Sequence, residues 1–172
     1  KVAIYAAMEY LENHNLDIPI IISGTITDAS GRTLSGQTVE AFYASIKHAN
    51  PFCVGLNCAL GSKLMLPFIA RLSNIAECYV HAYPNAGLPN AMGEYDQNPS
   101  MMGQEIEVFM KDNVVNIIGG CCGSTPPHIK EIYNLSKKYK KLRKPIEEIK
   151  LTRLSGLEQL LITKELNFIN IG

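Results

Sequence analysis

The sequence has 172 residues, 47% of them hydrophobic and 19% charged, and sixteen Lys/Arg balance sixteen Asp/Glu. High hydrophobicity without net charge excludes intrinsic disorder, and the zero balance excludes the strongly basic character of nucleic-acid-binding and membrane-surface proteins. The length suits one domain with a sizeable core, although the chain begins at Lys1 rather than at a methionine, which predicts a piece of something longer.

Residues 1–14 place Val2, Ile4, Tyr5, Met8 and Leu11 at helical spacing, and Asn13–Asn15 end the helix. Glu9 and Glu12 interrupt any signal-peptide core. Ile20-Ile21-Ile22 reads as a buried strand, and a Gly/Ser/Thr/Asp loop runs from Ser23 to Gly36. Gln37–Ala49 is expected to be helical, with Val39, Phe42, Ile46 and Ala49 on one stripe, before a second strand over Phe52–Cys58. A helix over Lys63–Ile75, a strand over Glu77–Tyr83 and a long loop over Pro84–Pro99 follow. Met101–Asp112 is the next helix and Val114–Ile118 the next strand. Pro126-Pro127 opens the last helix, where the first turn has no use for an N–H. The basic run KKYKKLRK (137–144) reads as a solvated helix end, cations suiting the C-terminal dipole, and from Pro145 the chain reads as a linker. Alternating β and α units with short apolar strands imply an α/β fold with a parallel sheet covered by helices. No apolar run approaches the roughly 18–20 residues of a membrane span.

The polar features cluster where strands end: Ser23-Gly24-Thr25 and Asp28, Asn57-Cys58, Pro84-Asn85-Ala86-Gly87, and Gly119-Gly120-Cys121-Cys122-Gly123. In parallel α/β folds this edge is where sites are built. Five cysteines is an odd count for a chain that is not small, which argues against a secreted disulfide framework and for a reducing, cytoplasmic setting. Cys53 and Cys78, mid-strand, read as core residues. The adjacent pair Cys121 and Cys122 is flanked by glycines that permit unusual backbone angles, and Cys58 occupies the equivalent end of another strand. Three thiolates around one soft ion is a zinc arrangement, and three protein ligands leave one tetrahedral position open, as catalytic sites do. A redox role for the vicinal pair is the alternative. Zinc held by three thiolates carries a net charge of −1 and is a poor activator of water, but it suits a fourth thiolate that must stay nucleophilic, since coordination deprotonates a thiol outright. The chemistry implied is attack of a substrate thiolate on an electrophilic carbon.

SGTITDASGRTLSGQT (23–38), GLNCALG (55–61), PNAGLPNAMGEYD (84–96) and GGCCGSTPPHI (119–129) together resemble the cobalamin-dependent methionine synthases, in the second half of their homocysteine-binding module. The resemblance runs from residue 1 to about 136; LSGLE (154–158) is similar to the linker before the folate-binding module of that family, and FINIG (168–172) to the opening strand of that module. It implies the C-terminal half of a (β/α)8 TIM barrel over 1–136, a basic helix end and linker over 137–166, and the start of a folate-binding module over 167–172. The implied zinc ligands are Cys58, Cys121 and Cys122; homocysteine sulfur takes the open position, which Asn85 fills when substrate is absent. The implied methyl source is methylcobalamin, remethylated by 5-methyltetrahydrofolate, so that the implied partners are homocysteine and the cobalamin- and folate-binding modules. Four strands where a barrel has eight predict a half-barrel without turnover by itself.

His81 and His128 read as structural residues. Asp28, with Arg32, either shapes the loop after the first strand or contacts substrate. Met101, Met102 and Met110 read as core. The Gly-rich turn at 119–123 lacks the spacing of a phosphate cradle. Two other functions fit the same residues: a standalone homocysteine methyltransferase using betaine or S-methylmethionine, and a non-catalytic zinc or redox thiol module.

Overall fold

The computed structural model describes residues 1–27, 29–148 and 150–170. Four parallel strands, β1 (Ile21–Gly24), β2 (Cys53–Gly61), β3 (Tyr79–Asn85) and β4 (Ile117–Ile118), form one sheet in the order of the sequence. Helix α1 (Val2–Asn13) precedes β1, and helices α2 (Val39–Ile46), α3 (Ser62–Ser73) and α4 (Pro99–Lys111) make the successive crossovers. Helix α5 (Pro126–Ser136) follows β4. This alternating α/β order is compatible with part of a (β/α)8 barrel.

Strand alternation divides the sheet into two faces. Val54, Leu56, Val80 and Ala82 pack against the helices in the main core, with Val39, Ile46, Met65, Ile69, Leu72 and Phe109. The intervening residues, Ser23, Gly55, Asn57, His81, Tyr83 and Asn85, occupy the other face, which is polar. Helix starts follow local chemistry. Thr38 and Asn98 accept from Ala41 N–H and Met101 N–H, and Pro99 takes the first turn of α4. Thr125 and His128 form a reciprocal box before Pro126.

Helix α1 forms where its spacing predicts, with its apolar stripe largely exposed: Val2 is 83% and Tyr5 66% accessible, and Ile4 joins the edge of the core. Two expectations need correction. Strand β4 is shorter than Val114–Ile118: Asn116 N–H still donates to Val80 O (2.7 Å), but Val80 N–H is taken by the Asn116 side-chain Oδ1 (3.0 Å), and Asn116 Nδ2 donates to Arg143 O (2.7 Å). The basic run starts at the C-cap of α5, Lys137, and its five lysines are exposed, but it does not continue the helix and one of its cations is not solvated. Helix α5 stops at Ser136, and Arg143, only 5% exposed, lies under the sheet with its guanidinium donating to Ser73 Oγ, Ser73 O, Ala76 O and Cys78 O at 2.6–2.8 Å.

The stretch expected as linker contains an antiparallel hairpin, β5 (Thr152–Ser155) and β6 (Gln159–Ile162). It docks on α2: Ser155 Oγ donates to Ala41 O (2.7 Å), Gln37 Nε2 donates to Gly156 O (3.0 Å) and Thr38 N–H to Leu157 O (2.9 Å). Arg153 pairs with Glu77 at 2.8 Å, and Lys47 joins that carboxylate at 2.6 Å. Residues 167–170 carry no regular secondary structure, and Ile171 and Gly172, the rest of FINIG, lie outside the described residues. No helix among the described residues is long and apolar enough to cross a membrane.

Candidate metal centre

At the C-terminal edge of the sheet the ladder between β2 and β3 is interrupted between Asn57 and Gly61. The interruption comes from two consecutive left-handed residues, Cys58 (φ 59°) and Ala59 (φ 60°). Left-handed backbone costs a non-glycine residue about 1–2 kcal/mol. The bulge re-aims the end of β2 as bulges next to functional sites do.

Opposite Cys58, the turn after β4 is stitched to the end of β3. Gly119 N–H donates to Ala82 O (3.1 Å), Cys121 N–H to Pro84 O (2.8 Å) and Ala86 N–H to Cys122 O (2.9 Å). Gly123 holds φ +76°, and an added Cβ there would stand 2.4 Å from Tyr95 Cβ, so the Tyr95 side chain packs directly on this turn. At Gly120 an added Cβ would be 2.1 Å from Ser124 Oγ. These two positions explain why glycines bracket the cysteine pair.

The result is a cluster of three thiols: the Sγ atoms of Cys58, Cys121 and Cys122 all lie within 4.8 Å of one another, and Cys58 and Cys122 are 3.4 Å apart. A tetrahedral zinc with bonds of about 2.3 Å separates its sulfurs by about 3.8 Å. The cluster fits that donor set without disulfide formation, all five cysteines being free. Its electrostatics point the same way. The Cys121 thiol beside it holds Cys58 below the ordinary thiol range, while burial and the neighbouring Cys58 push Cys121 up to about 11. Without a cation the site favours one thiolate at the expense of another, as like charges at this distance must. A divalent cation removes that conflict.

Asn85 is 3% exposed and its Oδ1 accepts from Cys122 N–H (3.1 Å). It holds the cysteine turn in place and retains a second lone pair on the same oxygen. Asp28 lies outside the described residues. Arg32 shapes its loop, donating to Gly36 O (2.8 Å) and pairing with Glu158 of the hairpin. Neither histidine joins the thiols. His128 contacts Thr125 Oγ1 (2.7 Å) and Gln97 O (2.8 Å), and His81 is buried against Cys53 and Ser23. Burial pushes the Cys53 thiol up to about 12 and raises that of Cys78, as suits core thiols.

Sequence reasoning singled out neither Ser23, Asn57 nor Tyr95 as individual site residues. Asn57 was legible as the neighbour of a strand-end cysteine, but nothing local ties Tyr95 to a turn far along the chain.

The strain at Ala59 gives a direct expectation. Ala59→Gly relieves the left-handed penalty while adding a smaller unfolded-state entropy cost. Thermal unfolding should show the variant more stable by about 0.5 kcal/mol, with unaltered metal binding. Destabilisation would mean that Ala59 has no backbone strain to relieve.

The homocysteine S-methyltransferase family model matches residues 2–135 of the chain.

Proposed function

Because the chain belongs to the homocysteine S-methyltransferase family, whose reaction is methyl transfer to homocysteine, we propose that Cys58, Cys121 and Cys122 hold a zinc ion at which homocysteine is methylated to methionine. The observation that carries this reading is the convergence of three sulfurs from two separate strand ends within 4.8 Å. Zinc, when bound, lowers the pKa of the homocysteine thiol and keeps its sulfur nucleophilic at neutral pH. The chain's own residues do the rest. The bulge at Cys58–Ala59 and the Gly119–Gly123 turn would hold three ligands, and a tetrahedral ion would have one position left for the substrate sulfur. Asn85 is proposed as the displaceable fourth ligand, supported by its Oδ1 accepting from Cys122 N–H (3.1 Å) and keeping a second lone pair. In the transfer a sulfur–carbon bond forms, the bond between the methyl carbon and its donor breaks, and the thiol proton leaves for solvent.

Within the family we favour the cobalamin-dependent methionine synthase type. Four ordered motifs and the LSGLE segment support it, the latter in the hairpin docked on α2. Methylcobalamin in a separate module would supply the methyl group, with 5-methyltetrahydrofolate restoring it. In this reading residues 1–136 are the homocysteine-binding half-barrel, 137–166 the connection onward and 167–172 the start of the folate-binding module, in a cytoplasmic protein. Asp28 is proposed as a substrate contact of the loop after β1.

The test is metal and substrate binding. The chain should retain one zinc ion, and Cys58→Ala, Cys121→Ala and Cys122→Ala should each lose it in dialysis against a mild chelator and lose homocysteine binding with it. Variants that keep a full equivalent of zinc would refute the three-thiolate site. Supplying methylcobalamin, betaine and S-methylmethionine in turn to the full-length protein decides the donor. Methionine formed from betaine or S-methylmethionine alone would move the chain to the standalone class.

A further inference from the structure

Ser23, Gly55 and His81 lie in one row across β1, β2 and β3. Gly55 is what lets His81 reach past its neighbouring strand: a Cβ at position 55 would stand 2.5 Å from the imidazole ring and 2.1 Å from His81 O. Over that gap His81 Nε2 approaches Ser23 Oγ at 3.0 Å, and its Nδ1 meets Cys53 Sγ at 3.4 Å. Ser23 Oγ donates in turn to Asn57 Oδ1 at 2.7 Å. With the serine proton directed at Asn57, Ser23 Oγ is free to accept from His81 Nε2–H, which leaves Nδ1 as the ring's acceptor toward the Cys53 thiol; that thiol, kept protonated by burial, also stands 3.9 Å from Val54 O. The ring also stacks on Tyr83 at 4.5 Å, so its orientation is held by packing as well as by hydrogen bonds. The chain ends on the last residue of β2 in regular register with β3 before the bulge that presents Cys58.

We propose that Cys53, His81, Ser23 and Asn57 form a hydrogen-bonded positioning chain that holds the end of β2 where its bulge delivers Cys58 to the metal. Adjacent left-handed residues at Cys58 and Ala59 persist only where the surroundings over-determine them. The stitched turn after β4 fixes Cys121 and Cys122. Asn57 is the only one of the bulge's two flanking anchors, Asn57 and Gly61, that carries a side chain, and Ser23 takes hold of that side chain. The four are positioning residues: they act on the metal through the backbone of Cys58. This inference rests on the zinc site proposed above.

Ser23 is solvent-exposed, so Ser23→Ala opens no cavity and cuts the chain next to Asn57. In the full chain, zinc affinity is measured by competition with a chromophoric chelator, and the thermal midpoint of the metal-free protein is measured beside it. The expected result is about tenfold weaker zinc binding, the lower end of what outer-shell substitutions cost, beside a small drop in the metal-free midpoint because buried His81 Nε2–H loses its acceptor. Ser23→Thr, which keeps the hydroxyl, should bind zinc as the unaltered chain does. Wild-type zinc affinity in Ser23→Ala, or a threonine variant as weak as the alanine one, overturns the positioning chain while leaving the zinc site standing. An unaltered chain that takes up no zinc overturns the site and this inference together.

Discussion

Arg143→Ala is expected to lower stability by about 4 kcal/mol and the thermal midpoint by about 10 °C. The guanidinium donates to three backbone carbonyls, of Ser73, Ala76 and Cys78, and to Ser73 Oγ. Ser73 closes α3, and Ala76 and Cys78 lie on the path from α3 to β3. The Ser73 carbonyl is one of the orphan acceptors that a helix end leaves behind and those of Ala76 and Cys78 belong to the connection after it, all three here sealed from water by a cation from far along the chain. A buried acceptor stripped of its partner costs about 1–3 kcal/mol, and hydrogen bonds from a charged donor are the stronger kind. Four such bonds lost together would sum higher, but water enters part of the vacated space. Arg143→Lys should recover less than half of the loss, because one ammonium cannot reproduce a planar fork that reaches four acceptors. Urea unfolding of the three proteins checks this, and an alanine variant within about 1 kcal/mol of the unaltered chain would show that water replaces the guanidinium without cost. The thiol cluster sits at the opposite end of the strands, so zinc binding by the folded fraction should not change.

Arg143 also shows where sequence reading stops. The run 137–144 has six basic positions among its eight residues, and that Arg143 is its one arginine does not by itself say that this position is buried. Only the long-range placement of the segment beneath α3 turns a solvated charge into a buried clamp. The hairpin at 152–162 escaped for a related reason. Its strands are four residues each, and Leu160, Leu161 and Ile162 run together in place of alternating, so no period of two stands out. What supports it is docking on α2. By contrast, β1 to β3 and the crossover helices were legible because β-branched runs, caps and prolines agree on the same boundaries. The three cysteines were legible because chemistry narrows the choice: thiols at strand ends, two of them between glycines, have few bland explanations. The bulge that aims Cys58 was not, since nothing in GLNCALG announces a left-handed pair at Cys58 and Ala59. The buried role of His81 was read correctly as structural, but its partners, Cys53 and Ser23, come from two other strands.

Those partners set the second large effect, a loss of stability in mild acid that traces to one side chain. Burial lowers the His81 imidazole from its ordinary value of 6.5 to about 4. The neutral ring suits its place: Nδ1 accepts from Cys53 and Nε2 donates to Ser23, whereas a second ring proton would face the Cys53 thiol proton. Between pH 6.5 and 4 the unfolded chain therefore binds a proton that the folded chain refuses. Stability must rise with pH across that window, being fully present above about 6.5 and lost as the pH falls toward about 4. The slope approaches 1.4 kcal/mol per pH unit at its steepest, and the whole window is worth about 3 kcal/mol. Carboxylates also titrate near its lower end, so the measurement is a difference between two proteins. His81→Leu keeps much of the bulk over Gly55 but has nothing to protonate. It should start less stable at pH 7, because Ser23 and Cys53 lose a partner, and then change less than the unaltered chain as the pH is lowered. The two urea-unfolding profiles should converge by about 3 kcal/mol between pH 7 and pH 4. Parallel profiles would mean that His81 takes up its proton without opening the chain from Cys53 to Asn57, and that the neutral ring is not what the packing over Gly55 selects.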